Sequence, residues 1–215
     1  MKFLEALPRS SNSAADTGTA MHLAASHWHK HGKEEEAALA AMRQARDQFP
    51  MADLSEAERI FRAYAQDQTN QDAQIVACEA LLQGEIGGVV FEGTVDQIRE
   101  TSEGWEIWDI KTSKFPGHRI RDEHTYQLCA YAVLASKRFA RPVKPGGIIM
   151  ARGYPNPDKV FYRYSVTVEQ AELMMRQVVT RVLDVRKGNV PPIPGDHCGY
   201  CVGVRTCLAR HERTI

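Results

Sequence analysis

The sequence predicts an α/β protein with a central mixed β-sheet flanked by helices and a cysteine-rich C-terminal tail. Three predicted helices are followed by three strands, a helix, two strands and a final helix, an order that favours helices on both sides of a mixed sheet. Hydrophobic residues make up 43% of the 215 residues, enough to bury one sizeable core. Cys198, Cys201 and Cys207 lie close together near the C-terminus. We therefore predict one domain over residues 1–190, with residues 191–215 as a cysteine-rich staple packed on it.

Three helices are predicted in the first third of the chain. Residues 20–31 combine good helix formers with apolar residues at helical spacing, and the pattern continues in 34–48 and 54–66. Asp53 precedes the third helix as a candidate N-cap. The polar stretch 67–72 is predicted to be a loop.

Three strands follow, at residues 74–82, 89–98 and 105–111. The last two are rich in Val, Ile, Phe and Trp, and the polar residues between them end in Gly104, which indicates a hairpin. If that turn is centred between residues 102 and 103, residues whose numbers sum to 205 stand opposite each other. Asp96 then faces Asp109.

The second half begins with a helix at 122–137, whose apolar positions recur at helical spacing. Residues 142–147 break the pattern with proline and glycine. Two strands, 147–152 and 159–165, are predicted around a turn of sequence Tyr-Pro-Asn-Pro. A long amphipathic helix over 168–187 completes the fold.

Two carboxylates and a lysine are the first sign of a functional site. Side chains alternate along a strand, so Asp109 and Lys111 share a face. Asp96 and Asp109 would stand roughly 5 Å apart across the hairpin, which is repulsive unless a cation lies between them. A divalent metal is the simplest cation. On its own, Asp-x-Lys on a strand is more often only a solvated face.

Further polar residues accompany this hairpin. His22 projects from the first turn of a predicted helix, where a neutral imidazole can bind metal, although capping or surface roles are more common. Gln127 and Tyr131 lie four residues apart and therefore on one face of a helix. They could position a phosphate or a water, while a half-buried structural tyrosine is equally usual.

The elements Gly-x3-His, Gly-x2-Asp, Asp-x-Lys and Tyr126-Gln127-Leu128-x-x-Tyr131, in this order, resemble the PD-(D/E)xK nuclease superfamily and its RecB-like branch. The resemblance runs from about Gly18 to Cys207 and implies a restriction-endonuclease-like core. It also implies Mg²⁺ or Mn²⁺ held by the following groups: His22, Asp96, Asp109 and the backbone carbonyl of Ile110. Lys111 would orient and help deprotonate the attacking water, and Gln127 and Tyr131 would position substrate or the lysine. Glu79 is similar to a glutamate often found in relatives, and we assign it no role.

The cysteine tail suggests a second bound group. A disulfide framework is disfavoured by the odd cysteine count and by the absence of a recognisable signal peptide. The spacing of Cys198, Cys201 and Cys207 resembles the tail of iron-sulphur RecB-like nucleases, which implies a [4Fe-4S] cluster. The fourth cysteine expected near the N-terminus is missing, and His211 could instead complete a Cys₃His zinc set. A cysteine set that binds nothing is the remaining alternative.

We therefore predict a metal-dependent DNA nuclease, an exonuclease acting on free ends in bacterial or phage recombination or repair. A helicase or recombinase is a candidate partner, and the predicted location is the cytoplasm. The balance of 27 basic and 27 acidic residues argues against a broad electrostatic footprint on DNA. Residues Lys114, His118, Arg119 and Arg121 are candidates for a local basic patch. No apolar run is long enough to span a bilayer.

Two other functions fit parts of the pattern. One is a catalytically inactive relative that binds DNA ends or a partner protein. The other is a zinc-ribbon-like interaction module in the C-terminal 25 residues, which would leave the hairpin carboxylates unexplained.

Overall fold

A computed structural model describes residues 12–113, 122–152 and 158–188. The helices are α1 (Ser13–Lys30), α2 (Glu35–Gln44), α3 (Leu54–Ala65), α4 (Gln68–Gln71), α5 (Asp122–Phe139) and α6 (Val168–Arg186), with a 3₁₀ turn at Arg46–Gln48. The strands are β1 (Gln74–Ile86), β2 (Val89–Thr101), β3 (Gly104–Ser113), β4 (Val143–Arg152) and β5 (Asp158–Arg163). The predicted turn at 154–157, the basic residues 114–121 and the cysteine tail lie outside the described residues.

The five strands form one sheet in the order β1-β2-β3-β4-β5. β3 and β4 run parallel and the other neighbouring pairs are antiparallel, which confirms the predicted mixed sheet. The parallel pair is joined through α5, as a crossover between parallel strands requires. Strand β3 therefore has an antiparallel neighbour on one side and a parallel neighbour on the other.

Helices cover both faces of the sheet, each with its own apolar core. On one face, Trp28, Phe61 and Tyr64 of α1 and α3 pack with Trp108 and Ile110 of β3. The other core lies between α5, α6 and the sheet and contains Ile107, Leu128, Ile148 and Met175. Because side chains alternate along β3, Ile107 and Ile110 belong to opposite cores. The predicted α/β architecture is confirmed.

Several predicted boundaries were wrong, for local physical reasons. Asn12 accepts a hydrogen bond from the Ala15 amide at 2.9 Å, so α1 begins at Ser13 and not at residue 20. Asp67 caps the short helix α4 in the stretch predicted to be a loop. The predicted Asp53 cap is confirmed, with its side chain accepting from the Glu56 amide.

The proline- and glycine-containing break predicted at 142–147 is instead the start of β4. A register shift between β3 and β4 leaves Gly146 without a partner, between the pairs Ile107↔Pro145 and Trp108↔Gly147. This irregularity accommodates a proline that has no amide to donate. A Cβ on Gly146 would lie 2.5 Å from the indole nitrogen of Trp108, so the residue has to be glycine.

A buried polar chain links α1, α3 and β2. Arg99, only 4% exposed, donates to the side-chain oxygen of Gln97 through Nε at 2.8 Å and to the side-chain oxygen of Asn70 at 2.8 Å. Gln97 donates to the Tyr64 hydroxyl, which lies 2.7 Å from Nε2 of His29. The hydroxyl proton therefore points to His29, whose Nε2 has to be unprotonated to accept it. Burial, followed by the charges of Arg99 and Lys33, lowers the pKa of His29 to about 3.

This depressed pKa predicts that His29 destabilises the fold in acid. The unfolded chain binds a proton on this imidazole near its model value of 6.5, whereas the folded chain resists it until about pH 3. The free energy of unfolding should therefore fall as the pH is lowered from 6.5 towards 3, by about 2 kcal/mol at pH 5 from this residue. In His29→Gln, which keeps an acceptor for Tyr64, urea unfolding at pH 7 and pH 5 should show a smaller acid loss. An equal loss in both proteins would contradict the assignment.

Among the described residues, no helix has the length and apolar character needed to cross a membrane.

Candidate active site

The two hairpins carry three acidic residues on neighbouring strands, Glu79 of β1, Asp96 of β2 and Asp109 of β3, which we call the acidic row. In β1 and β2, Cys78 pairs with Gln97 and Ala80 with Val95, so Glu79 stands opposite Asp96. In β2 and β3, the recorded pairs run from Thr101↔Gly104 to Gln97↔Trp108. The predicted register, in which residue numbers sum to 205, is thus confirmed for these pairs. The pairing ends at Gln97↔Trp108, so the facing of Asp96 and Asp109, one position further along, stays a prediction.

Asp96 is the centre of this row and is 9% exposed. Its Oδ2 accepts a hydrogen bond from the Ile110 amide at 2.6 Å, so the carboxylate takes the place of a backbone acceptor where the recorded β2–β3 pairing ends. Its Oδ1 lies 3.3 Å from Nδ1 of His22. Helix α1 therefore brings an imidazole onto a carboxylate of the sheet.

Glu79 extends the site on the β1 side. Its backbone has a φ of 49°, a left-handed conformation that is unusual for a non-glycine residue and often found at functional sites. Ligand atoms of His22, Glu79 and Asp96 all lie within 4.8 Å of one another. Three potential metal ligands thus converge from α1, β1 and β2.

A second polar chain runs from β3 to α5. Lys111 Nζ lies 2.7 Å from Oδ2 of Asp109 and donates to the Gln127 side-chain oxygen at 3.2 Å. Gln127 in turn donates to the Tyr131 hydroxyl at 3.2 Å. The lysine ammonium group is therefore held between the acidic row and the face of α5.

Two glycines allow these elements to approach. A Cβ on Gly18 of α1 would lie 2.6 Å from the hydroxyl oxygen of Thr112 in β3. A Cβ on Gly93 of β2 would lie 2.7 Å from the ring of Tyr131. Gly18 thus permits a close contact one helical turn before His22. Gly93 permits a close contact three residues before Asp96. These contacts give a physical reason for the Gly-x3-His and Gly-x2-Asp spacings.

We expect Gly18→Val to weaken the packing of α1 on β3 and to move His22 away from Asp96. Overpacking of this kind typically costs about 1–3 kcal/mol of unfolding free energy. Urea denaturation measures that loss, and Thr19→Val, at an exposed position of the same helix, is the control. Equal stability of the two variants would contradict a tight contact at Gly18.

The site is crowded with groups whose charges are mutually dependent. Burial, reinforced by the charge of Asp96, raises the pKa of Asp109 to about 6. Burial and the same neighbouring charge also raise the pKa of Glu79 to about 6, although the residue as a whole is solvent-exposed. Burial opposes the charged form of His22, but the nearby carboxylates outweigh it and raise its pKa to about 9. The pKa of Asp96 is lowered, since the His22 and Lys111 charges and the Ile110 amide overcome the effect of burial.

These groups fit a divalent cation. Carboxylate oxygens suit Mg²⁺ and Mn²⁺, and the octahedral ligands of Mg²⁺ lie about 3 Å from their neighbours, close to the 3.3 Å between His22 and Asp96. His22, whose raised pKa favours the charged form, would have to lose its proton to act as a ligand. The buried Oδ2 of Asp109 lies 2.7 Å from the Lys111 ammonium group, which offsets part of the negative charge. A cation would offset the repulsion in the acidic row.

The structure brings the predicted residues together in two linked groups. His22 and Asp96 are in contact, and Asp109, Lys111, Gln127 and Tyr131 form the chain described above. Ile110 reaches the site through its amide, while metal binding by its carbonyl stays a prediction. The predicted residues Cys198, Cys201, Cys207 and His211 lie outside the described residues.

Glu79 is the residue to which sequence reasoning gave no role. The signal was the Gly87-Gly88 pair, which suits a two-residue hairpin turn because both residues have positive φ, 58° and 82°. A turn centred there pairs Ile86 with Val89 and carries Glu79 opposite Asp96.

Comparison with known proteins defines the class to which this fold and site belong. The model of the PD-(D/E)XK nuclease superfamily matches residues 1–207, so the chain belongs to that superfamily. Its members are nucleases, hydrolases that use divalent metal ions. A comparison with curated protein sequences gives no match.

One solved structure agrees with the fold. A crystal structure from Eubacterium rectale, of a protein provisionally named an exonuclease, is similar with a TM-score of 0.59 and 14% identity, covering 97% of this chain and 77% of the other. The crystal structure of SSO0001 has a TM-score of 0.40 and 15% identity, covering 97% and 91%. At these identities the first likeness bears on the fold alone, and the second adds nothing to it.

Proposed function

We propose that this protein is a divalent-metal-dependent deoxyribonuclease that works from free DNA ends. The observation that carries the proposal is the meeting of the His22, Glu79 and Asp96 ligand atoms beside the Asp109–Lys111 ion pair. Nothing structural demands that an imidazole, three carboxylates and a lysine converge at one place. In a nuclease superfamily, this convergence supports a catalytic site.

The residues that would hold the metal come from α1 and from the acidic row. We assign His22, Asp96 and Asp109 as ligands, with the Ile110 carbonyl, and add Glu79 from its position. Bound Mg²⁺ or Mn²⁺ would lower the pKa of a coordinated water and neutralise charge on the phosphate. The Ile110 amide fixes Asp96 Oδ2, which leaves Oδ1, next to His22, as the oxygen for a ligand bond.

Lys111 would hold the attacking water in line, and its neighbours would keep the ammonium group in position. Its ammonium group is fixed from two sides, by Asp109 at 2.7 Å and by Gln127 at 3.2 Å. The Tyr131 hydroxyl accepts from Gln127, which sets the direction of the amide oxygen towards Lys111. Such fixation contributes to catalysis because a positioned group loses little freedom in the transition state.

Other parts of the proposal rest on the RecB-like resemblance. We propose that residues 1–190 form the nuclease domain and that residues 191–215 staple onto it through a [4Fe-4S] cluster or zinc held by Cys198, Cys201 and Cys207, with His211 as a candidate fourth ligand. We also propose a cytoplasmic role in bacterial or phage recombination or repair, alongside a helicase or recombinase.

End-labelled single- and double-stranded DNA tests the function directly. The protein should shorten labelled DNA in Mg²⁺ or Mn²⁺ and leave it intact in EDTA. Circular DNA without ends should resist cleavage. Intact linear DNA under all these conditions would remove the proposal, and equal cleavage of circles would replace exonuclease with endonuclease activity. An absorbance spectrum in the visible range, recorded beforehand, tests for the cluster.

A further inference from the structure

A groove of about 600 Å³ opens beside Lys111, on the side of the sheet covered by α5 and α6. This volume falls within the range of about 300–1,000 Å³ that is usual for small-ligand sites. Lys111, Gln127 and Tyr131 are part of its lining, so the groove is continuous with the candidate active site.

The remainder of the lining is aromatic and aliphatic except for Glu92 and His124. From α5, Tyr126, Ala130 and Leu134 follow one another at intervals of four residues and so line one wall. Met175 and Val178 of α6 form another wall, and Phe91 of β2 contributes a further aromatic side chain. Tyr126 is 41% exposed, which is high for a large aromatic residue next to a site. The lining suits a flat, largely apolar group.

We infer that this groove receives an unpaired nucleobase of the DNA strand being cut, stacked on Tyr126, and that the enzyme therefore acts on single-stranded ends. The inference rests on the proposed function. A scissile phosphate at Lys111 has bases attached to the adjoining sugars, and the same lysine lines the groove. Every base has a face that can stack on an aromatic ring, whatever its sequence.

The charge of the chain favours the same occupant. With 27 basic and 27 acidic residues, the protein has little net attraction for a phosphate backbone. Affinity for DNA then depends more on uncharged contacts, of which base stacking is the strongest available kind. A base inside a duplex is already paired and stacked, so only an unpaired base can enter such a groove.

Fluorescence anisotropy in EDTA tests the inference without cleavage. Labelled single-stranded oligonucleotides carrying an abasic residue at successive positions from each end are titrated with wild-type protein, Tyr126→Ala and Tyr126→Phe. We expect Tyr126→Ala to weaken binding of the intact strand about 5- to 100-fold, the loss of one base–aromatic stack. Tyr126→Phe should bind nearly as wild type does, because the ring is kept. Leu173→Ala, which shortens an exposed side chain of α6 outside the lining, is the matched control.

The abasic positions decide between outcomes. Wild type should lose affinity at one or two positions, and Tyr126→Ala should be insensitive at those same positions. An unchanged abasic profile in Tyr126→Ala would overturn the inference, as would an equal loss on blunt duplex DNA. A loss of thermal stability in Tyr126→Ala with unchanged DNA binding would point to a segment of the protein itself in the groove, and would also overturn it. Cleavage by wild type in Mn²⁺ is scored separately, so failure of the nuclease assignment is distinguishable.

Discussion

Lys111→Ala should lower the rate of DNA cleavage by about 10²- to 10⁴-fold while the protein remains folded. The reason is the position of the ammonium group, which lies between Asp109 and Gln127 and beside the acidic row. Alanine removes the charge that would orient the attacking water and leaves a gap at the mouth of the site. Single-turnover release of label from DNA in Mn²⁺ measures the chemical step apart from product release.

The control for this variant is Lys187→Ala, an exposed lysine at the end of α6. This variant also replaces a lysine by alanine, but at a position outside the candidate site. Its rate of DNA cleavage should match that of wild type. Urea denaturation of both variants shows whether folding is retained. Residual cleavage in Lys111→Ala equal to that in Lys187→Ala would rule out a catalytic lysine at this position.

Asp96→Asn should abolish both cleavage and the stabilisation that divalent metal gives to the folded protein. The amide keeps the size of the side chain and an oxygen that can accept from Ile110, so the metal-free fold should survive. It removes the charge next to His22 on which the proposed ligand set depends. At 100 times its dissociation constant, a metal adds about 2.7 kcal/mol to wild-type stability, which corresponds to roughly 5–10 °C in melting temperature.

Scanning calorimetry with and without Mn²⁺ measures this difference, and we expect no metal-dependent shift in Asp96→Asn. Asp47→Asn changes an exposed aspartate away from the site and should keep the full shift. If Mn²⁺ raised the melting temperature of Asp96→Asn as much as that of wild type, the metal would have to bind to another set of ligands. Cleavage falling at least about 10³-fold with no change in the metal shift would instead assign Asp96 to the reaction and not to the ion.

The sequence was most informative where hairpin chemistry is local. The polar turn before Gly104 predicted the register of β2 and β3. Once the turn of a hairpin is placed, it determines which residues of the two strands stand opposite each other. The order of helices and strands predicted the mixed sheet for a different reason. A helix joins β3 to β4, and such a connection allows the two strands to run parallel. The Gly87-Gly88 turn carried equivalent information for β1, and it would have placed Glu79 opposite Asp96.

What could not be read from the sequence depends on contacts between distant segments. The contact of Gly18 with Thr112 and the reach of Tyr131 over Gly93 are properties of packed surfaces, and no residue pattern along the chain reports them. The same applies to β4, where Pro145 suggested a break and the irregular register with β3 tolerates it. The sequence thus predicts which residues form the candidate site, while their contacts with one another required the three-dimensional fold.

The acidic residues and the imidazole come to the candidate site from separate parts of the fold. Glu79 and Asp96 lie on strands joined by one hairpin, and Asp109 lies on the next strand of the sheet. His22 lies on the N-terminal helix, whose position depends on the packing of Gly18 against Thr112. A local opening of α1 would therefore separate the imidazole from the carboxylates while the strand pairs stay intact. The completeness of the candidate site is thus coupled to the docking of a single helix.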